Sequence, residues 1–217
     1  RQKITICSSI LVKGKTFVNC QNVGIVIETT VISEYRVIRR MIHIDFCENP
    51  SLTNESVHVR GLFSDEDWGD MKDIAGADWF QGKAGETVSI LGTPQHKRLV
   101  LLGLGVRGAL SERSLLSIGG KLAAHLLTLP HESVSLSCEG LEDEGLKTIT
   151  LGALLRSWRF HKYRTKIRKP IKWKNLTVRV HDEKAARTAF HDRHQPLADG
   201  VHWARNLVCE PGNALYP

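Results

Sequence analysis

The first residues that could form a binding site are the glycines of Gly103–Gly108. They have the sequence GLGVRG and follow the apolar run Arg98–Leu102. A dinucleotide-binding turn uses such glycines to bring backbone N–H groups at a helix N-terminus against a pyrophosphate, with a ribose-binding acid about 20 residues further on. Here the predicted helix begins later, near Ser111, and the first acid that ends the next strand is Glu139. We therefore predict a tight strand-to-helix turn, with a dinucleotide site as the alternative.

The second candidate is a basic stretch, residues 156–174, which holds nine Lys or Arg residues, no acid and four interleaved aromatic residues. Such charges can hold phosphates, and such rings can stack on bases. The simpler interpretation is the end of a helix followed by a solvated loop, with the aromatic side chains in the core. The basic residues are Arg156, Arg159, Lys162, Arg164, Lys166, Arg168, Lys169, Lys172 and Lys174, and the aromatic residues are Trp158, Phe160, Tyr163 and Trp173.

Metal and nucleophile chemistry is poorly supported by the remaining residues. A metal site needs several ligands that converge at about 2 Å, and we interpret His181, His191, Asp192 and His194 as surface residues. The acids between Asp65 and Asp70 lack the spacing of a calcium loop, which favours a solvated loop. Neither GxSxG nor a recognisable cysteine signature occurs. The sequence therefore predicts no catalytic, cofactor-binding or metal-binding residue.

Composition places these residues in an ordinary globular protein. The chain has 217 residues, of which 41% are hydrophobic and 24% are charged, and this excludes collagen, a coiled coil and a fully disordered chain. It contains no apolar run of about 18 residues, so we predict no transmembrane helix and no membrane partner. The five cysteines are scattered singly, which indicates free thiols in a reducing cytoplasm.

The net charge of +7 is concentrated at the beginning of the chain, where residues 1–40 hold seven basic and two acidic side chains. The first residue is Arg, and the first Met is Met41, which begins a strand-like segment. We interpret residues 1–40 as an extension of doubtful native status, the alternative being a real N-terminal strand pair. Val23–Ile32 is a candidate strand because of its β-branched residues.

Strands that alternate with helices predict an α/β sandwich with a mostly parallel sheet. Ser111 is a predicted N-cap, and Pro130 stops the helix that follows. The predicted strands are His43–Cys47, Val57–Phe63, Thr87–Leu91, Arg98–Leu102, Ser133–Cys138 and Leu176–His181. The predicted helices run from Ser111 to Leu127, from Leu146 to Lys162, from Asp182 to His194 and from Gln195 to Cys209.

The last stretch, Gly200–Pro217 (GVHWARNLVCEPGNALYP), resembles the segment that joins the two halves of leucyl (cytosol) aminopeptidases. Their pattern is roughly G-V-x-x-A-R-[DN]-L-V-N-x-P-x-N-x-L-x-P, and Cys209 stands where the family usually has Asn. Three upstream stretches resemble the family in the same order. They are FQGKAGET (Phe80–Thr87), KRLVLLGLG (Lys97–Gly105) and ALLRSWRFHKYRTK (Ala153–Lys166).

The resemblance implies an N-terminal, non-catalytic domain, an α/β sandwich similar to macro domains with three layers. In the family a catalytic domain follows, in which two divalent metals (zinc or manganese) activate water to remove an N-terminal residue from peptides. The resemblance also implies a homo-hexamer that contacts peptides only through the catalytic half. Neither metal-binding motif of that half occurs in these 217 residues, so no metal or catalytic residue is transferred.

One family helix is shortened to Asp73–Trp79, which should expose an apolar sheet face and favour association. Together with the ends of the chain, this suggests a truncated or decayed copy of an aminopeptidase gene. We assign residues 1–40 to the extension, 41–195 to the N-terminal domain, and 196–217 to a linker helix and the start of the catalytic domain. The alternative function is a nucleic-acid or nucleotide-binding module that uses residues 156–174 to bind DNA.

Overall fold

The structure is a computed structural model that describes residues 10–12, 15–17, 42–49, 57–69, 79–91, 98–165 and 172–215. The chain divides into two compact units, residues 1–39 and residues 40–217. In the first unit, strands β1 (Ile10–Val12) and β2 (Lys15–Phe17) pair antiparallel. The strand predicted at Val23–Ile32 lies outside the described residues.

The second unit is built on a six-stranded sheet. Its strands are β3 (His43–Cys47), β4 (Val57–Phe63), β5 (Thr87–Leu91), β6 (Arg98–Gly105), β7 (Ser133–Cys138) and β8 (Asn175–Arg179). Their order across the sheet is β3-β8-β7-β4-β6-β5. Only β5, at one edge, pairs antiparallel with its neighbour β6. The predicted α/β fold with a mostly parallel sheet is confirmed.

Helices follow the strands in the predicted alternation. They are α1 (Glu112–Leu126), α2 (Asp143–Ser157), α3 (Glu183–Ala189), α4 (Gln195–Cys209) and the short α5 (Gly212–Leu215). A 3-10 turn at Arg107–Ala109 precedes α1, and a π-helical turn at Phe190–His194 joins α3 to α4. In the described part of the chain, no helix is long and apolar enough to cross a membrane.

Helix α1 begins where the sequence predicts, because Ser111 and Ser114 cap it reciprocally. The Ser111 hydroxyl accepts from the Ser114 N–H at 3.2 Å, and the Ser114 hydroxyl accepts from the Ser111 N–H at 2.9 Å. These bonds satisfy N–H groups that have no partner within the helix. The predicted apolar stripe is buried, and it consists of Leu115, Ile118, Leu122 and Leu126.

Helices α1 and α2 are in very close contact because glycines form the crossing. A Cβ added at Gly119 would lie 2.0 Å from the Ile149 carbonyl oxygen, and one added at Gly152 would lie 2.2 Å from the Leu116 carbonyl oxygen. The helix pair covers one face of the sheet, where its apolar side chains join those of β4, β6, β7 and β8 in the main core. The two glycines therefore set the distance between the helices.

The opposite face of the sheet is polar over two central strands. Ser133, Ser135 and Ser137 alternate along β7 with residues of the main core, and Asn175 and Thr177 do so along β8. The alternating residues of these two strands are polar, so this part of the face carries no apolar surface. Toward β6 a smaller apolar cluster covers this face, formed by Leu62, Phe80, Leu99 and Leu101. The shortened helix predicted at residues 73–79 lies outside the described residues except for Trp79.

The predicted ends of four elements differ from the observed ones. Strand β8 spans Asn175–Arg179 rather than Leu176–His181. Helix α2 spans Asp143–Ser157 rather than Leu146–Lys162, since Trp158 adopts a non-helical conformation and Arg159 donates to the carbonyl of Arg156 at 3.1 Å. Strand β6 continues through Gly103 to Gly105, where pairing with β4 ends. The helix predicted from Asp182 to His194 is α3 followed by the π turn, although Asp182 caps it as predicted.

Candidate functional site

The glycine-rich turn after β6 is packed against the protein's own main chain. Gly103 donates its N–H to the Glu86 carbonyl at 2.8 Å, and Gly105 donates to the Gly82 carbonyl at 2.9 Å. A Cβ on Gly103 would lie 2.1 Å from the Lys83 carbonyl oxygen. These N–H groups are engaged by the upstream turn and do not face a phosphate. The predicted tight turn is confirmed, and the dinucleotide alternative is not supported.

A cleft of about 390 Å³ opens at the carboxyl ends of β7 and β8, where parallel sheets commonly bind ligands. Beside it, Asp143 accepts hydrogen bonds from the main-chain N–H groups of His181 at 3.0 Å and Asp182 at 3.1 Å. Burial raises the pKa of Asp143, but these bonds and the His181 ring outweigh it and hold the pKa below its usual value. Asp143 therefore fastens the segment after β8 to the start of α2.

The structure separates the histidines that lie close together in the sequence. His181 is held at the cleft, whereas the exposed His191 lies 3.6 Å from the Asp192 carboxylate. The ring of His194 is buried and stacks on Phe190, with ring centroids 5.4 Å apart. The prediction of a surface residue is therefore wrong for His194, because the π turn directs its ring onto Phe190.

Metal binding has no support in the geometry of the described residues. They contain no group of three or more His, Cys, Asp or Glu side chains placed to hold a metal ion. The two divalent ions of the family therefore do not fit this part of the chain.

Two stretches that carry the family resemblance meet in space where α4 contacts α2. The indole Nε1 of Trp158 donates to Oδ1 of Asn206 at 2.8 Å, and Nη1 of Arg205 donates to the Leu155 carbonyl at 2.6 Å. The Arg205 guanidinium also lies 5.8 Å from the centroid of the Trp158 ring, which is within range of a cation–π interaction. These contacts fix α4 against the end of α2.

The same contact continues at Glu210, the residue that follows α4. Its side chain is only 3% exposed and accepts from Nζ of Lys162 at 2.9 Å and from the hydroxyl of Tyr163. These hydrogen bonds lower the pKa of Glu210, and the bond from Tyr163 has the larger effect. We name the whole set the helix joint, which comprises Leu155, Trp158, Lys162, Tyr163, Arg205, Asn206 and Glu210. The helix joint sets the direction in which the chain leaves α4.

A buried histidine lies on α4 beside the helix joint. His202 is 7% exposed, and its Nε2 has no hydrogen-bond partner among the described residues. Burial lowers the pKa of His202, and the neighbouring Arg205 lowers it further. The inner face of α4 therefore favours a neutral imidazole.

The basic stretch is partly engaged by the protein itself. Lys162 and Lys174 each pair with a glutamate at 2.9 Å, and Arg159 donates to carbonyls at the end of α2. Trp173 is buried as predicted, but Tyr163 is 52% exposed rather than in the core. Outside the described residues lie Lys166, Arg168 and Lys169. Nothing in the described part favours the nucleic-acid alternative.

Comparison with known proteins gives one consistent family. Residues 66–167 match the family model for the N-terminal domain of the cytosol aminopeptidase family. A probable cytosol aminopeptidase of Chelativorans sp. (strain BNC1) is 38% identical over 157 residues, which cover 69% of this chain and 31% of that protein. A second one, from Wolbachia pipientis wMel, is 34% identical over 142 residues, which cover 64% of this chain and 27% of that protein. The chain spans about a third of the length of these relatives.

The architecture agrees with the sequence match. A solved structure of a tomato leucine aminopeptidase mutant superposes with a TM-score of 0.63 at 20% identity, covering 80% of this chain and 39% of that one. The class of protein is thus an α/β domain with the fold of part of a leucine aminopeptidase. Residues 66–167 match the N-terminal domain of the cytosol (leucyl) aminopeptidase family, as the resemblance predicted.

The residues of the helix joint lie in stretches quoted for the family resemblance, but the sequence singles out none of them as a site and does not show their contacts. Among them are Trp158, Arg205 and Asn206. An indole donor and an amide acceptor are chemically complementary. That complementarity was the available signal, but it does not select this pair from the other donors and acceptors in the chain.

Proposed function

We propose that this chain acts as the non-catalytic N-terminal domain of a leucyl aminopeptidase-like metallo-exopeptidase, which removes N-terminal amino acids from peptides. The family match over residues 66–167 carries this proposal. Peptide binding, hydrolysis and the two divalent metals, zinc or manganese, belong in the proposal to the family's catalytic domain. The assembly we propose is a homo-hexamer in the cytoplasm.

The role of this domain in the proposal is to hold and orient the polypeptide beyond α4. The helix joint supports this role because it ties both the body of α4 and Glu210 to the end of α2. Helix α4 crosses the boundary at residue 196 between the predicted domain and the predicted linker. A domain attached beyond α4 would therefore inherit a fixed direction rather than a flexible tether.

A peptidase assay on the purified 217-residue chain tests the non-catalytic role. With a leucine amide substrate and added manganese, we expect release of leucine at background level, because the described residues supply no metal-binding group. Turnover that co-purifies with the chain and disappears with a chelator would overturn the proposal.

Hydrogen exchange tests the orienting role independently of activity. Replacing Glu210 by alanine removes the acceptor of Lys162 and Tyr163, so we expect faster amide exchange over residues 205–210. The matched control is Glu132→Ala, which removes only an exposed pair with Lys174 and should leave α4 unchanged. Equal exchange in the Glu210 variant and the parent protein would exclude the orienting role while leaving the family assignment intact.

A further inference from the structure

An apolar groove lies between α1, α2 and α4, on the side of the helix pair that faces away from the sheet. Its volume is about 810 Å³, within the range of known ligand sites. Val208, on the last turn of α4, is 85% exposed at its edge. The groove lining includes Leu116, Gly120, Leu155, Trp158, Val201 and Val208. An exposed apolar channel of this kind marks an interaction site more often than a free surface.

Glycines keep the groove open. Gly152 packs against the Leu116 carbonyl and belongs to the wall, whereas a Cβ on Gly120 would meet no atom within 4 Å. The position of Gly120 therefore lies in open space although α1 and α2 are tightly packed one residue away. A bulky side chain at Gly120 would enter the groove without disturbing the helix crossing.

Two arginines give the rim of the groove a positive charge. Arg205 is held by the Leu155 carbonyl at 2.6 Å, and Arg156 is exposed. Both line the groove, and no carboxylate in the described part of the chain pairs with either of them. Because a half-buried apolar floor and an uncompensated positive rim occur together, the complementary occupant has an apolar face and a negative flank.

We propose that this groove docks an amphipathic α-helix of a partner protein, with apolar residues along one face and Glu or Asp beside them. The stretch of α4 from Val201 to Val208 is about 10 Å long at the α-helical rise. That length accommodates about two turns, with anchors at positions i, i+3 or i+4, and i+7. The carboxylates of the partner helix would face Arg156 and Arg205.

The test uses a fluorescein-labelled synthetic helix with leucines at those anchor positions and glutamates on the flanks, titrated into the full chain. A second peptide has the same leucines with lysines in place of the glutamates. We expect the acidic peptide to bind at least about tenfold more tightly, a difference of about 1.4 kcal/mol, and to weaken as salt is added. Equal affinity of the two peptides, or no binding at low salt, would overturn the proposal.

Matched variants locate the binding. Gly120→Leu should abolish the anisotropy change by filling the groove, while Gly200→Leu, which also enters open space but lies outside the groove, should not. Arg156→Glu should abolish the preference between the two peptides, because the rim then carries one arginine and one glutamate, whereas Arg164→Glu, an exposed charge reversal outside the groove, should preserve it. Circular dichroism is the control that each variant is folded. Binding that survives Gly120→Leu would place the peptide elsewhere and reject the groove.

Sedimentation velocity of the peptide-free chain tests the main competing occupant of the groove, which is a second copy of this chain. We expect Gly120→Leu to leave the distribution of oligomers unchanged, because the occupant is another protein. Loss of a dimer in this variant alone would show that a second copy of the chain fills the groove, and the proposal would then be wrong.

Discussion

The indole nitrogen of Trp158 donates a 2.8 Å hydrogen bond to the side-chain oxygen of Asn206, which lies 48 residues further along the chain. The bond links the residue that follows α2 to the last turns of α4. Both partners belong to stretches that resemble the family, so a structural contact accounts for part of the motif. These family motifs thus include residues that hold α4 against the end of α2, which is a structural role.

Replacing Asn206 by leucine should lower the free energy of unfolding by about 1–2 kcal/mol, because the indole N–H loses its acceptor in a partly buried position. Urea unfolding of the variant and the parent protein measures the change. Trp158→Phe combined with Asn206→Leu serves as the control in a double-mutant cycle. A double variant whose loss equals the sum of the single losses would show that the bond contributes nothing.

The two adjacent glycines of α1 should respond in opposite directions to the same substitution. Gly119→Ala should lower stability by about 1–3 kcal/mol, since its Cβ would lie 2.0 Å from the Ile149 carbonyl oxygen and force the helices apart. Gly120→Ala should raise stability by up to about 1 kcal/mol, because its Cβ enters open space and alanine favours a helix. Thermal and urea unfolding compare the pair. Similar shifts for both variants would contradict the described crossing.

The glycines of GLGVRG should likewise differ from one another. Gly103→Ala should cost about 1–3 kcal/mol, because its Cβ would collide with the Lys83 carbonyl, whereas a Cβ on Gly108 meets nothing within 4 Å and should cost little. Urea unfolding separates the two variants. A phosphate-binding turn would instead show a rise in melting temperature when NAD is added to the parent protein. That rise, or equal losses for both glycines, would restore the dinucleotide alternative.

Stability should decrease as the pH falls below about 6.5, because burial lowers the pKa values of His194 and His202 from that ordinary value. The folded protein then binds fewer protons than the unfolded chain. The free energy of unfolding therefore decreases as the pH decreases, until the pH lies below the folded-state pKa values. Urea unfolding from pH 7.5 to pH 5.5 measures this slope. His202→Gln should reduce this slope without abolishing it, because His194 still contributes. A slope unaffected by the His202 change would remove this histidine from the explanation.

Local signals in the sequence predicted much of the fold. Four strands, His43–Cys47, Val57–Phe63, Thr87–Leu91 and Ser133–Cys138, match the predicted bounds, since β-branched and apolar residues are enclosed there by turn residues. Ser111 was predictable as an N-cap because the signal lies within four residues of it. Strand propensity and helix capping depend on residues that are close along the chain, and these can be read directly from the sequence.

The misplaced ends have causes that lie outside the local sequence. The periodic pattern of α2 continues to Lys162, but the chain leaves the helical conformation at Trp158, whose indole is held by the distant Asn206. The sequence predicts His194 at the surface because no metal-binding motif accompanies the two histidines, which are three residues apart and share a helix face. The π turn shifts this register by one residue and brings the ring onto Phe190.

By itself the sequence determined the α/β class, the strand and helix order, the family, and the absence of a catalytic signature in these 217 residues. Only the tertiary structure decided that a neighbouring turn accepts the hydrogen bonds of the glycines in GLGVRG. It also decided that two family stretches form the helix joint. It also showed an open groove with a positive rim. The reason is physical: propensity and periodicity act between near neighbours, whereas close contacts and pairing between side chains depend on where distant segments meet.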